Sequence, residues 1–147
     1  MDQRTELMEK LLLKDIKPSY QRLRIFQYLL SHRTHPTVDE IHHALVAEMP
    51  TLSKTTVYNT LKLLVERGLA QLITIEEVET RYDGNISFHG HFKCSGCQRI
   101  YDFPITQDQF FTDALAGFQI HEKSLYFKGI CKDCIKNKSF RKREVFE

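Results

Sequence analysis

The sequence predicts an α+β protein of two small domains, the first a winged helix-turn-helix. Three observations predict it: helical periodicity fills most of residues 1–83, two strand-like runs close that half, and all four cysteines of the 147-residue chain lie beyond it. Tyr82–Asn85 reads YDGN, a sequence typical of turns. We therefore expect one domain at residues 1–83 and another at residues 84–147.

Each of the three helices predicted in the first half begins at a residue suited to capping a helix N-terminus. The caps are Ser19, Thr37 and Ser53, and Thr37 forms a T-x-x-E capping box with Glu40. The predicted spans are 20–33, 37–48 and 53–68, the last ending at a glycine. Helical spacing directs these apolar residues inward: Leu23, Phe26, Leu29, Leu30, Ile41, Leu45, Val57, Leu61, Leu64 and Val65.

A β-hairpin is predicted after the third helix, from strands at 69–77 and 78–83 that turn near Glu76–Val78. Three helices followed by a hairpin is the winged-helix arrangement. The third helix also has a polar face at i, i+3, i+4 and i+7 that carries no acid: Thr55, Tyr58, Asn59 and Lys62. Such a face suits a DNA major groove, although a merely solvated face is an open alternative.

Charge and hydropathy exclude some functions but do not by themselves indicate a DNA-binding protein. The net charge is +2, with 11 − 12 = −1 in residues 1–83 and 10 − 7 = +3 in residues 84–147. No apolar run reaches the roughly 18 residues of a membrane span, and the charged start lacks the apolar stretch of a secretory signal. We expect a cytoplasmic protein whose cysteines are reduced and available to metals.

The four cysteines predict a structural zinc site. They form two C-x2-C pairs separated by 33 residues: Cys94, Cys97, Cys131 and Cys134. Four thiolates complete a tetrahedral zinc shell and leave no open position for catalysis. Such a site would tie the C-terminal segment back to the strand that carries Cys94.

The histidines near this cluster suggest a second metal. His89 and His91 alternate, so on a strand both point the same way and could bind one ion, although a half-exposed strand explains the pair equally well. Asp83 and Asp102 lie near them in sequence, and His35 lies in the other domain. Imidazoles mixed with carboxylates favour iron(II), manganese(II) or zinc.

Five segments resemble the ferric uptake regulator family in order and spacing, over about residues 12–137: HPTVDEIHHAL, PTLSKTTVYNTLKLLVERGL, RYD, HGHFKCSGCQRIYDF and YFKGICKDC. The resemblance implies a homodimeric repressor, not an enzyme, whose winged helix binds a palindromic DNA operator. It implies a second, α/β dimerisation domain with a zinc held by four cysteines. It places a regulatory ion on the family's five ligand positions: His35, Asp83, His89, His91 and Asp102.

The same resemblance places two DNA contacts and indicates a branch of the family. Lys17 matches a minor-groove contact and Tyr58 a base contact. Aspartates at 83 and 102, where iron sensors tend to have glutamates, are similar to the peroxide-responsive repressors. The expected function is repression by an iron(II) or manganese(II) form, the iron form being inactivated by peroxide; a reversible iron or zinc sensor and a metalloenzyme are the open alternatives.

One further metal site found in the family is expected to be absent. The iron and zinc branches often read H-H-D-H where this chain reads Phe88-His89-Gly90-His91, and a downstream histidine of that site falls on Lys123. The sequence therefore implies two metal ions per chain.

Overall fold

The chain forms two compact units in the computed structural model, which describes residues 2–76, 79–106 and 112–137. The N-terminal unit ends at Ile86, and the C-terminal unit begins at Ser87. The YDGN turn thus lies within the N-terminal unit. No helix of the described residues is long and apolar enough to cross a membrane.

Four helices and a hairpin make up the described part of the N-terminal unit. They are α1 (Gln3–Leu13), α2 (Tyr20–Ser31), α3 (Val38–Leu45), α4 (Lys54–Glu66), β1 (Gln71–Ile73) and β2 (Arg81–Asp83), and the two strands are antiparallel. Helix α1 was not predicted. It buries Leu7 and Leu11 but exposes Met8, Leu12 and Leu13, so its apolar residues form no clear stripe.

The three predicted caps are confirmed, whereas the helices end earlier than predicted. The side-chain oxygens of Ser19, Thr37 and Ser53 accept the backbone N–H groups three residues later, at 3.1, 3.2 and 3.0 Å. Helix α2 ends at Ser31 because the backbone of His32 is extended, and α4 ends at Glu66, two residues before Gly68 with its φ of +76°. The chain after Leu45 forms a turn rather than the last residues of the predicted helix.

The core of the N-terminal unit lies among the four helices. Eight of the ten predicted inward residues are buried, whereas Leu30 and Val65 are only half-buried. Ile25, which was not predicted, is fully buried. The strands are shorter than predicted, and residues 77–78 of the expected turn lie outside the described residues.

A polar network joins the start of α2 to the turn after α3. The Glu48 carboxylate accepts hydrogen bonds from the Tyr20 hydroxyl at 2.8 Å and from Arg24 Nε at 2.7 Å. The Arg24 guanidinium and the Tyr20 hydroxyl lower the pKa of Glu48 to about 2. Glu48 therefore stays ionised at neutral pH and keeps the two elements together.

The C-terminal unit contains a three-stranded sheet and a short helix. Its elements are β3 (His89–Cys94), β4 (Ile100–Pro104), a 3₁₀ turn (Asp113–Leu115), β5 (Tyr126–Gly129) and α5 (Lys132–Ile135). Strand β3 is central, antiparallel to β4 and parallel to β5. The β-branched and aromatic runs RIYDF (99–103) and SLYFKGI (124–130), which are typical of strands, contain most of β4 and all of β5.

Gly90 permits close packing on one face of this sheet. It pairs with Phe103 across the β3–β4 ladder, and a Cβ atom added at Gly90 would lie 2.1 Å from Phe103 Cζ. The Phe103 ring stacks on Phe127 with centroids 5.2 Å apart. A side chain at position 90 would therefore displace an aromatic pair that spans all three strands.

We expect Gly90→Ala to destabilise the C-terminal unit by about 1–3 kcal/mol, because the added methyl overpacks the Phe103 ring. Denaturant unfolding of the zinc-containing protein measures the change. The double variant Gly90→Ala/Phe103→Leu should recover part of the loss, since the smaller side chain leaves room for the methyl. A single variant as stable as the natural chain would contradict the packing argument.

Candidate metal centres and nucleic-acid interface

The four cysteine sulfurs form one cluster in the C-terminal unit. The Sγ atoms of Cys94 and Cys134 are 3.7 Å apart, those of Cys97 and Cys131 are 3.9 Å apart, and all four lie within 4.8 Å of one another. A tetrahedral zinc with Zn–S bonds of about 2.3 Å separates its sulfurs by about 3.8 Å. The spacing therefore fits a zinc ion and is too long for disulfides, whose S–S bond is about 2.05 Å.

Backbone N–H groups prepare Cys94 to act as a thiolate. Its Sγ accepts from the N–H groups of Gly96 at 3.3 Å, Cys97 at 3.4 Å and Cys131 at 3.3 Å. Burial acts to raise the pKa of Cys94, but these donors outweigh it and lower that pKa to about 6.

Cys134 shows the opposite effect. Burial and the neighbouring sulfurs raise the pKa of Cys134 to about 12. Four negative sulfurs cannot lie so close together without a compensating charge, and a divalent cation supplies it. The donor set, its spacing and its charge therefore all fit zinc.

His35 and Asp83 form a buried pair in the N-terminal unit. Both residues are 4% exposed, and His35 Nε2 lies 3.7 Å from Asp83 Oδ2. The Tyr82 N–H donates to the Pro36 carbonyl at 3.0 Å, which holds β2 beside the segment that carries His35. Asp83 Oδ1 accepts the Asn85 N–H at 2.9 Å, an arrangement that orients the carboxylate.

His89, His91 and Asp102 form a second set, in the C-terminal unit. Asp102 lies opposite His91 in the β3–β4 ladder, and its carboxylate oxygens lie 3.4 Å from His91 Nε2 and 3.7 Å from His89 Nε2. The two imidazole centroids are 4.4 Å apart. This short distance shows that both rings point the same way, as predicted. The two histidines are 7% and 3% exposed, so the half-exposed alternative is wrong.

One hydrogen bond assigns the proton on His89. Its Nδ1 lies 2.7 Å from the Ser87 carbonyl, which only accepts, so Nδ1 carries a hydrogen, and in the neutral tautomer that fits this contact Nε2 carries the lone pair. Nε2 is also the atom beside Asp102. Two ligand atoms bound to one ion at about 2.1 Å lie about 3–4 Å apart, and the spacing within each set is of this size.

The predicted DNA-reading face lies on the solvent side of α4. Thr55, Tyr58, Asn59 and Lys62 are exposed, whereas Val57, Leu61 and Leu64 on the opposite side are buried. Lys17 is also exposed, in the loop before α2, and its carbonyl accepts from Arg22 Nη1 at 2.8 Å. These side chains are accessible to a ligand, and none of them is used in the core.

The Lys123 side chain occupies the position at which the sequence implied the loss of a third metal site. Lys123 Nζ is 5.6 Å from the centroid of the Phe88 ring, within cation–π range. Neither side chain offers a metal a lone pair at neutral pH. The expectation of two ions per chain stays a prediction.

Comparison with known proteins identifies the family. The sequence model of the ferric uptake regulator family matches residues 14–128. The chain belongs to this family. It is 31% identical over 137 residues to the peroxide operon regulator of Bacillus subtilis (strain 168), covering 91% of this chain and 94% of the relative.

Two further similarities support the same branch and fold. The peroxide-responsive repressor PerR of Staphylococcus aureus (strain Mu50 / ATCC 700699) is 32% identical over 122 residues, 81% of this chain and 82% of its own. The peroxide stress regulator of Campylobacter jejuni, a solved structure, has a TM-score of 0.65 and 26% identity, over 91% of this chain and all of its own. The predicted family, the similarity to its peroxide-responsive branch and the α+β fold with a winged helix are confirmed.

Two contributions to these sites were missed from the sequence. The backbone donors to Cys94 depend on the knuckle turn, which C-x2-C implies but does not orient. Arg81 donates from Nη1 to the His35 carbonyl at 3.0 Å. The RYD motif contained that arginine, but no local pattern shows which carbonyl it reaches.

Removal of zinc is expected to unfold the C-terminal unit, because four clustered thiolates repel one another without a cation. Serine in place of Cys94, Cys97, Cys131 or Cys134 should leave this unit unfolded or the protein monomeric. Circular dichroism, sedimentation and zinc analysis, before and after chelation, measure the effect. A zinc-free variant that remains a well-folded dimer would contradict the prediction.

Proposed function

We propose that this protein is a metal-dependent, homodimeric transcriptional repressor that senses peroxide. The observation that carries the proposal is the pair of histidine–aspartate sets, one in each unit, in which every histidine is buried and each carboxylate lies within 3.7 Å of an imidazole nitrogen. Both lie in a chain whose relatives are named peroxide regulators.

The regulatory ion is proposed to be iron(II) or manganese(II), bound by His35, Asp83, His89, His91 and Asp102. Three imidazoles and two carboxylates suit these metals. Because the ligands come from both units, binding would restrain the winged helix relative to the C-terminal unit. Two winged helices in a homodimer read a palindromic operator only when their separation matches the half-sites.

The four cysteines are proposed to hold a zinc ion with a structural role. The ion would join the knuckle after β3 to the start of α5 and so close the loop between them. It stabilises the strand from which His89 and His91 project. The zinc is therefore expected in both the repressing and the inactive forms.

DNA contacts are proposed for Lys17, Thr55, Tyr58, Asn59 and Lys62. Their exposure and the hydroxyl, amide and ammonium groups that they offer support this role. The protein is expected to act in the cytoplasm, where the operator lies.

Iron(II), when bound, would supply the redox chemistry that cleaves the O–O bond of hydrogen peroxide, while the two electrons that the net reaction consumes come from an imidazole ring. In the overall reaction one oxygen atom is inserted into an imidazole C–H bond of His35 or His89, and the other leaves as water. The modified ring has altered donor properties, so the ion is released and repression ends. Each molecule reacts once, which distinguishes a sensor from an enzyme.

A reversible iron or zinc sensor is the second candidate, because the same ligands can bind and release a metal without oxidation. An enzyme is disfavoured, since the relatives are named as regulators and repressors. Sustained peroxide consumption over many turnovers would support an enzyme.

Tyr58→Ala should weaken operator binding by about 1–3 kcal/mol if the ring contacts a base edge. Lys17→Ala should lower the salt dependence of binding, since it removes a phosphate or groove contact. The probe is DNA selected in vitro with the manganese-loaded protein. Tyr58→Phe and Lys14→Ala are the matched controls, and affinity and salt slope unchanged in both test variants would place the contacts elsewhere.

Asp102→Glu should keep metal and DNA binding but lose peroxide sensitivity. The longer carboxylate reaches further and can occupy the position that peroxide would take, while the charge stays the same. His35→Ala should abolish metal-dependent DNA binding, because it removes a ligand supplied by the winged-helix unit.

Operator binding by the iron(II) form, before and after brief peroxide exposure, measures both variants. Mass spectrometry of peptides containing His35 and His89 detects the added oxygen. If Asp102→Glu and the natural chain respond alike, or no histidine gains oxygen, a reversible sensor replaces the proposal.

A further inference from the structure

Arg81 connects the hairpin to the backbone of the segment that carries His35. Its Nη1 donates to the His35 carbonyl at 3.0 Å and lies 3.4 Å from a Glu40 carboxylate oxygen. Its Nε donates to Glu76 Oε1 at 2.7 Å, and its Nη2 lies 3.7 Å from Glu79. Glu76 and Glu79 lie in the two arms of the hairpin and are together called the hairpin tip below, so one guanidinium joins this pair of carboxylates to the carbonyl of a proposed metal ligand.

The backbone of His35 needs such support. Its φ of +57° lies in the left-handed region, which residues other than glycine rarely adopt. Pro36 follows, and a residue before proline favours an extended conformation instead. Contacts from outside the segment must therefore hold His35 in place, and Arg81 supplies one of them.

Three consecutive residues of β2 meet this segment in order. The Arg81 side chain binds the His35 carbonyl, the Tyr82 N–H binds the Pro36 carbonyl, and Asp83 lies beside the His35 ring. A shift of the strand would therefore move a carboxylate and an imidazole relative to each other. The Arg81 bond is the one made by a side chain that also contacts the hairpin tip.

We propose that Arg81 is a positioning residue that sets the geometry of His35 and couples it to the hairpin tip through Glu76. The inference rests on the proposed function, since it assumes that His35 binds the regulatory ion. A rearrangement of the tip would then alter metal affinity, and metal binding would restrain the tip by the same coupling free energy.

Arg67 provides a matched control within the same unit. Its Nη1 donates to the carbonyls of Lys14 at 2.8 Å and Asp15 at 2.9 Å, and Asp15 also has a left-handed φ, of +58°. Arginine thus holds a left-handed residue at both places. The difference is that Asp15 is no proposed ligand.

The test measures manganese(II) affinity of the full-length, zinc-containing protein by titration, beside thermal unfolding. Arg81→Gln should weaken manganese binding about tenfold or more, the effect expected when the support of a metal ligand is lost. Arg81→Lys keeps the positive charge near Glu40 and Glu76, so it should retain stability. It lacks the several N–H donors of the planar guanidinium, so it should still bind manganese more weakly. Arg67→Gln should lower stability without changing manganese affinity.

A double-mutant cycle tests the coupling to the hairpin tip. Glu76→Gln should weaken manganese binding less than Arg81→Gln does, and it should add nothing in the Arg81→Gln background, because its effect passes through Arg81. Additive losses would overturn the coupling to the tip.

His35→Ala separates the failure of this inference from that of the proposed function. If His35→Ala binds manganese like the natural chain, the regulatory site is wrong and the role of Arg81 falls with it. If His35→Ala loses manganese while both Arg81 variants keep it, only the positioning role is overturned. Equal losses of affinity in Arg67→Gln and Arg81→Gln would overturn it as well, and if Arg81→Gln does not fold, Arg81→Lys decides.

Discussion

The mutual repulsion of four clustered cysteine sulfurs is the constraint on which the C-terminal unit depends. Backbone N–H donors favour the ionisation of Cys94, whereas burial and the neighbouring sulfurs oppose the ionisation of Cys134. The cluster is therefore stable as four thiolates only around a cation. Strand β3 ends at Cys94 and also carries His89 and His91. The thiolate cluster therefore holds the strand that presents two proposed regulatory ligands. The six residues of β3 can supply ligands to both a structural and a regulatory metal because the donor atoms differ. Sulfur suits zinc, while imidazole and carboxylate suit iron and manganese.

The N-terminal unit positions its proposed ligands, His35 and Asp83, by a different means, since its core is built from apolar side chains. Its helices bury a continuous apolar cluster, and capping side chains fix where α2, α3 and α4 begin. Against this framework β2 holds the strained segment at His35 by hydrogen bonds from Arg81 and Tyr82. The strain in a left-handed residue before proline costs free energy, which the surrounding packing offsets. The apolar core and the capped helices thus form the framework, and the segment that carries His35 is joined to it by a few polar contacts.

Sequence reasoning reached the parts of this structure that depend on local pattern. Capping residues indicate where the helices start. Spacing alone gives the C-x2-C pairs and the common direction of His89 and His91. Helix α1 was missed because its exposed Leu12 and Leu13, beside the buried Leu7 and Leu11, leave no clear apolar stripe in the sequence. The place of Asp102 opposite His91 depends on strand register, and that of Asp83 beside His35 depends on tertiary contacts. The resemblance to a family supplied those residues, whereas the role of Arg81 needed the coordinates, because a hydrogen bond across 46 residues leaves no periodic signal.

The proposed division of the five ligands between two units bears on why such a site could act as a switch. The N-terminal set offers two donors and the C-terminal set three, and neither alone completes the five that the proposed ion would use. Each set holds its donors at a spacing suited to a shared ion, so little rearrangement is needed within a unit. In the proposal, metal binding would then mainly restrict the relative orientation of the two units, and the binding free energy would stabilise that restricted state. In the proposed mechanism, oxidation of one imidazole would remove one of the five donors, so a small chemical change would release the restraint as a whole.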